Sequence, residues 1–240
     1  TKKGNKKDDS VNKQHMDEIQ LLHLLTFWDR AVAVVSDKSK VKIGEEFIQL
    51  IIHATSSKGQ QNIMLVNSAL SALLSCFEES ETNETTGDDE LTKFASRVLA
   101  SLLQNNAAFL SLTANQGECR VVYVRCIIAI VTRLLSSDDK SLSKIGMQLL
   151  PLSISCILNQ ADAHSAQVAQ SCLAELGRMV RTCLPYPLKQ YHNEEDGQKC
   201  ISASAVAVET VLHHRFHSYW DGALSVLATF IIKIVTGIVV

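Results

Sequence analysis

Hydrophobic positions recur three to four residues apart along nearly the whole chain, the spacing that lines one face of an α-helix. In the first stretch, residues 16–35, Ile19, Leu22, Leu25, Trp28 and Val32 follow that spacing. The same period predicts helices over 41–54 and 62–77, and two more within 90–115 that break near Asn105-Asn106. It continues over 119–135, 141–158, 162–183, 200–214 and 219–240. That makes about ten helices, and no segment alternates with the period of two that a half-buried strand requires. The predicted class is all-α.

Polar punctuation agrees with the period. Asp139 and Ser141 are placed to cap the helix that runs to Leu149, and Asp162 to cap the one containing Val168 and Leu176. Asp88-Asp89-Glu90 sets negative charge where a helix start presents free N–H groups. Pro151 lies inside an apolar run and is expected to kink or divide its helix, because it removes a donor and crowds the preceding turn. Connections are short, so consecutive helices are expected to run antiparallel.

Helix pairs begin roughly 40 residues apart with degenerate spacing, and neither a Trp-Leu-Gly nor a Thr-Pro-Leu-His signature occurs, which points to a HEAT or armadillo solenoid. A compact helical bundle is the alternative. The solenoid is expected over 15–240, with three segments outside its core. Residues 1–14 form a basic tail carrying Lys2, Lys3, Lys6, Lys7 and Lys13. Residues 78–90 carry Glu78, Glu79, Glu81, Glu84, Asp88, Asp89 and Glu90 with no basic residue, a composition that stays solvated. Residues 183–199, with Pro185, Pro187 and Gly197, read as a long loop. The chain starts at Thr1 and stops inside the apolar run 231–240, which reads as a piece of a longer polypeptide whose next helix pair is missing.

Composition narrows the class further. Only 3 Pro, 10 Gly and 5% aromatic residues leave too few turn and strand formers for a sheet-rich protein of 240 residues. With 23 basic and 25 acidic side chains the net charge is −2, which argues against coating nucleic acid along the whole length. The seven cysteines, at 76, 119, 126, 156, 172, 183 and 200, are odd in number and contain no Cys-x-x-Cys pair. They fit neither a disulfide scaffold nor a ribbon-type zinc site, and read as free buried thiols.

Candidate chemistry is sparse. His213 and His217 have the i, i+4 spacing of helical zinc sites, but the glutamate of His-Glu-x-x-His is absent, so packing at a helix corner is the favoured reading. No Gly-x-Ser-x-Gly elbow and no phosphate-cradling loop occurs, so no enzyme, cofactor, metal or small-molecule substrate is expected. The run 223–240 approaches the length of a membrane span, but Lys233 near its middle costs about 2.5–3.5 kcal/mol on insertion, and a buried solenoid helix is expected instead. Arg120, Arg125 and Arg133, or Arg178 and Arg181, are candidates to line one rim and touch RNA or a partner, although such stripes are usually solvated faces.

One region carries more specific information. From Asp162 to Phe230 the chain holds Ala166-Gln167-Val168-Ala169, Cys172-Leu173, the loop Cys183-Leu184-Pro185 and then Leu212-His213-His214-Arg215-Phe216. After three intervening residues Trp220 opens an apolar helix with Leu224, Val226, Leu227 and Phe230. This pattern resembles the conserved region of the ribosomal-RNA-processing protein twelve family, karyopherin-like HEAT-repeat proteins of eukaryotic ribosome assembly. The resemblance covers under a third of the chain. It implies structural roles for Leu212, Arg215, Phe216, Trp220, Leu224 and Phe230. It also implies a scaffold in maturation and nuclear export of the pre-ribosomal small subunit, located in the nucleus and nucleolus and shuttling to the cytoplasm. The partners implied are pre-rRNA, assembly factors, the small GTPase Ran and nucleoporins. A karyopherin-like transport receptor or protein-interaction solenoid unrelated to ribosomes is the alternative.

Overall fold

The computed structural model describes residues 22–28, 30–56, 63–78, 89–114, 116–161 and 165–182, with isolated positions 20, 195, 197–199 and 202. Among the described residues the fold is all-α, with no strand. A leading helical segment, 22–28, is followed by a 3-10 turn at Val32–Val34 and then by seven helices. These are α1 (Asp37–Ser56), α2 (Ile63–Glu78), α3 (Asp89–Gln104), α4 (Asn106–Leu112), α5 (Gly117–Leu135), α6 (Lys140–Ala161) and α7 (Ala166–Thr182). The tail 1–14, the cap Asp162, most of the acidic stretch and of the 183–199 loop, and both helices predicted after residue 200 lie outside the described residues.

Most boundaries fall within a few residues of the periodicity, and the differences have local causes. The break at Asn105 separates α3 from α4 as expected. α1 starts four residues earlier than predicted, because the Ser36 carbonyl accepts from the Ser39 and Lys40 amides and opens a polar first turn that hydrophobic spacing does not register. Asp139 caps α6: its carboxylate accepts the Ser141 amide at 2.8 Å and also the Ser141 hydroxyl. Those bonds hold the Asp139 carboxyl below the usual range. Ser141 is therefore the capped residue and not a second cap. Pro151 does not divide α6, which is helical on both sides of it. Burial of Leu150, Ile154, Ile157 and Leu158 outweighs the one backbone bond that proline removes.

The helices touch their neighbours in two rows. α1, α3 and α6 form one row, and α2, α5 and α7 the other; α1 joins α2, α3 joins α5, and α6 joins both α5 and α7. None of the substantial contacts joins α1 or α2 to α6 or α7. α5 is the most enclosed helix, packed on α2, α3, α6 and α7, with Val124, Cys126, Ile127, Ile130, Val131 and Leu134 fully buried. Three glycines permit close approaches between helices, the tightest at the start of α5, where a Cβ at Gly117 would overlap Val168 of α7. A Cβ at Gly44 on α1 would stand 2.6 Å from the Phe94 ring on α3, and one at Gly146 on α6 would stand 2.9 Å from Leu134 Cβ on α5. The leading segment is pinned by Trp28, whose Nε1 donates to the Ala72 carbonyl on α2 at 3.1 Å while its ring meets Phe47 of α1 edge-on at 5.6 Å.

Candidate functional site

The arginines expected to line a rim are separated by the fold. At about 100° per residue, Arg120 points roughly 140° away from both Arg125 and Arg133 on α5. Arg120 is 6% exposed, which corrects its placement on a rim. Arg125 is half-exposed and pairs with Glu78 of α2 at 2.8 Å. Arg133 donates through Nε to the Thr92 hydroxyl of α3 at 3.3 Å. Arg178 pairs with Glu175 one turn earlier on α7 at 2.9 Å. Arg181 falls in the last turn of α7, and its side chain lies outside the described residues. On the other row, Arg97 of α3 reaches Glu45 of α1 at 2.8 Å and sits 5.7 Å above the Phe94 ring. Arg97, Arg125, Arg133 and Arg178 are each engaged by the protein's own groups.

Arg120 is the centre of the most polar buried cluster. α4 and α6 end close to the first turns of α5, and a helix end leaves carbonyls without intrahelical donors. The guanidinium meets one from each: Nε donates to the Thr113 carbonyl, just past α4, at 3.1 Å, and Nη1 to the Gln160 carbonyl near the end of α6 at 3.3 Å. A cation at two helix C-termini also answers the negative ends of both helix dipoles. Gln160 is itself fully buried; its Nε2 donates to Asn106 Oδ1, in the first turn of α4, at 2.8 Å. Its Oε1 is buried without a hydrogen-bond donor. Thr113, also fully buried, donates its hydroxyl to the Phe109 carbonyl at 2.8 Å. Beside this cluster the Phe109 and Tyr123 rings stack at 4.0 Å, and the Tyr123 hydroxyl donates to the Leu102 carbonyl of α3 at 2.6 Å.

Sequence reasoning took Arg120 for a surface residue and missed the cluster. The signal was present: Arg120, Tyr123, Ile127, Ile130 and Leu134 lie three to four residues apart, and all five are buried. The partnership with Gln160 and Asn106 had no local signal, since it depends on which helix ends meet.

Thiols follow expectation where they are described: Cys76, Cys119, Cys126, Cys156 and Cys172 are free and buried. Burial pushes Cys119, Cys156 and Cys172 each up to about 12, with the Arg120 guanidinium pulling Cys172 the other way. Burial raises Cys126 further, helped by Cys76, and raises Tyr123 as well. A thiol so held stays protonated, which is the reverse of what a nucleophile needs. Among the described residues no group of three or more His, Cys, Asp and Glu side chains could hold a metal ion. Cys183, Cys200, His213, His217, the run 223–240 and the family-pattern residues Leu212, Arg215, Phe216, Trp220, Leu224 and Phe230 lie outside the described residues. Among the described helices α6 is long and apolar enough to cross a membrane by length and composition, and more than half of that stretch is buried against other helices. No protein-family model matches this chain, and no curated protein and no solved structure is significantly similar to it.

Proposed function

We propose that this chain is a stretch of non-catalytic HEAT-type solenoid that serves as a scaffold in ribosome assembly, supporting maturation and nuclear export of the pre-ribosomal small subunit. The observation that carries the solenoid is the pattern of contact between neighbours: two rows of helices, rungs between them, and no substantial contact from α1 or α2 to α6 or α7. A closed bundle folds its first and last helices together, whereas stacked pairs meet only the pairs beside them. Such an array offers a long surface and flexes between pairs, which suits a protein that holds a large particle without transforming it. The ribosomal setting rests on the resemblance of the stretch from Asp162 to Phe230. Because Arg97, Arg125 and Arg178 are paired with carboxylates, the described arginines favour docking on assembly proteins over grasping phosphate.

Affinity purification of the protein from cells, with mass spectrometry and RNA sequencing of what accompanies it, tests this reading. Pre-small-subunit rRNA and assembly factors are expected, and RNase is expected to release most of them. Nuclear transport proteins retained after RNase, with no pre-rRNA, would replace the ribosomal setting with the transport-receptor reading.

A further inference from the structure

We propose that α4, with the turns on either side of it, is a latch that opens independently of the helices around it, and that Arg120 and Gln160 are its catch. α4 is only seven residues long, too short to persist as a helix by itself. Its contacts with α1, α3 and α6 are the lightest of any helix described, whereas its neighbours α3 and α5 are anchored on several others. What holds it is concentrated at its two ends, and both attachments converge on one residue. Gln160 grips the start of α4 with its side chain, through Asn106, and the end with its main chain, through Arg120 and Thr113.

Between the ends, Phe109 supplies one stacked ring and Leu112 one buried side chain. The closed catch is also imperfect, because Gln160 Oε1 is buried without a donor, and an unsatisfied buried acceptor counts against the state that buries it. Few apolar contacts, a handful of directional bonds and an orphaned acceptor describe a unit whose opening free energy lies below that of global unfolding. Opening bares the face of the Tyr123 ring while both rows of helices stay packed.

Amide hydrogen exchange on the 240-residue chain tests the latch. The amides of Phe109 and Thr113, hydrogen-bonded to Asn105 and Phe109, report on α4, and those of α5 report on the packed rows. In the native chain the α4 amides are expected to exchange about a hundredfold or more faster than those of α5, with a much weaker urea dependence. Leu134→Ala, at the far end of α5, is expected to speed α5 exchange roughly a hundredfold and leave α4 exchange unchanged, since Leu134 stays packed when only α4 opens. Gln160→Met is expected to speed α4 exchange several-fold. Equal protection and equal urea dependence of α4 and α5 in the native chain would overturn the proposal whether or not either variant folds. So would a Leu134→Ala effect of the same size on both helices.

Discussion

Arg120 and Ile127 stand about two turns apart on α5 and are buried almost equally, 6% and 0% exposed, but opposite kinds of force hold them. Around Arg120 the contacts are directional: a guanidinium between two helix ends, a glutamine amide on an asparagine, a hydroxyl folded back on its own turn. Ile127 instead belongs to the apolar core, with Val124, Ile128, Ile130 and Val131 of the same helix buried in the same cluster, where contact is chiefly by dispersion. Polar burial is concentrated where α4 and α6 end and leave carbonyls without intrahelical donors; farther along α5 the buried side chains are apolar or neutral thiols, with the Cys126 thiol donating to the Leu70 carbonyl as a weak exception. The first region gains little from burial and much from geometry, and the second the reverse.

The largest effect expected of any single treatment comes from alkali, which attacks neutrality directly. Cys119, Cys156 and Cys172 keep their protons in the folded chain up to about 12, against an ordinary thiol value of 9.0. Above pH 9 the unfolded chain therefore binds fewer protons than the folded one, so stability falls as pH rises and continues to fall until about pH 12. Each such thiol withdraws about 1.4 kcal/mol per pH unit in that window. Urea denaturation at pH 8 and at about pH 10.5 should show a pronounced drop in midpoint, and Cys156→Ala should lessen that drop by the share of one thiol. Equal midpoints at the two pH values would mean that these thiols are not held protonated by burial.

Next in size is a cavity in the apolar region. Ile127→Ala removes a fully buried side chain from the most enclosed helix and is expected to destabilise the chain by about 3–4 kcal/mol. The measurement is the urea midpoint at neutral pH, with an unchanged slope showing that the unfolded state is the same. A loss below about 1 kcal/mol would mean that the neighbours collapse into the space, and the contrast with the directional region would fail.

This contrast also accounts for what the sequence made legible. Helix period, the Asn105 break and the Asp139 cap are local properties, carried by residues within a turn of one another, and they were readable. Pro151 was expected to kink or divide its helix and does not divide it, because its local penalty is smaller than the apolar burial on either side, which depends on α5 and α7. Arg120 was misread because residue type was weighed above position: its charge suggested solvent, while its place in the series with Tyr123, Ile127 and Leu134 put it inside. The Gln160–Asn106 bond spans 54 residues and is a property of the assembled helices, so no reading of either segment reaches it. Buried directional contacts are thus the part of this fold least visible in the sequence, and buried apolar faces the most visible.

The smallest effect isolates what burial adds to an arginine's bonds. Arg125 sits five residues after Arg120 on the same helix, and its pair with Glu78 at 2.8 Å is shorter than the Arg120 bonds to the Thr113 and Gln160 carbonyls. Both of its members remain about two-fifths exposed, so water and salt compete for each charge, and ordering two long side chains offsets most of the attraction. Arg125→Ala should therefore cost no more than about 0.5 kcal/mol, and that difference should fade in molar salt. Arg120→Met, in contrast, leaves two helix-end carbonyls buried without that donor, a penalty of about 1–3 kcal/mol that salt does not screen. Urea midpoints for the two variants at low and high salt decide the matter. If Arg125→Ala matched Arg120→Met in size, bond length would rule over burial; if salt shifted both alike, the Arg120 cluster would be open to solvent.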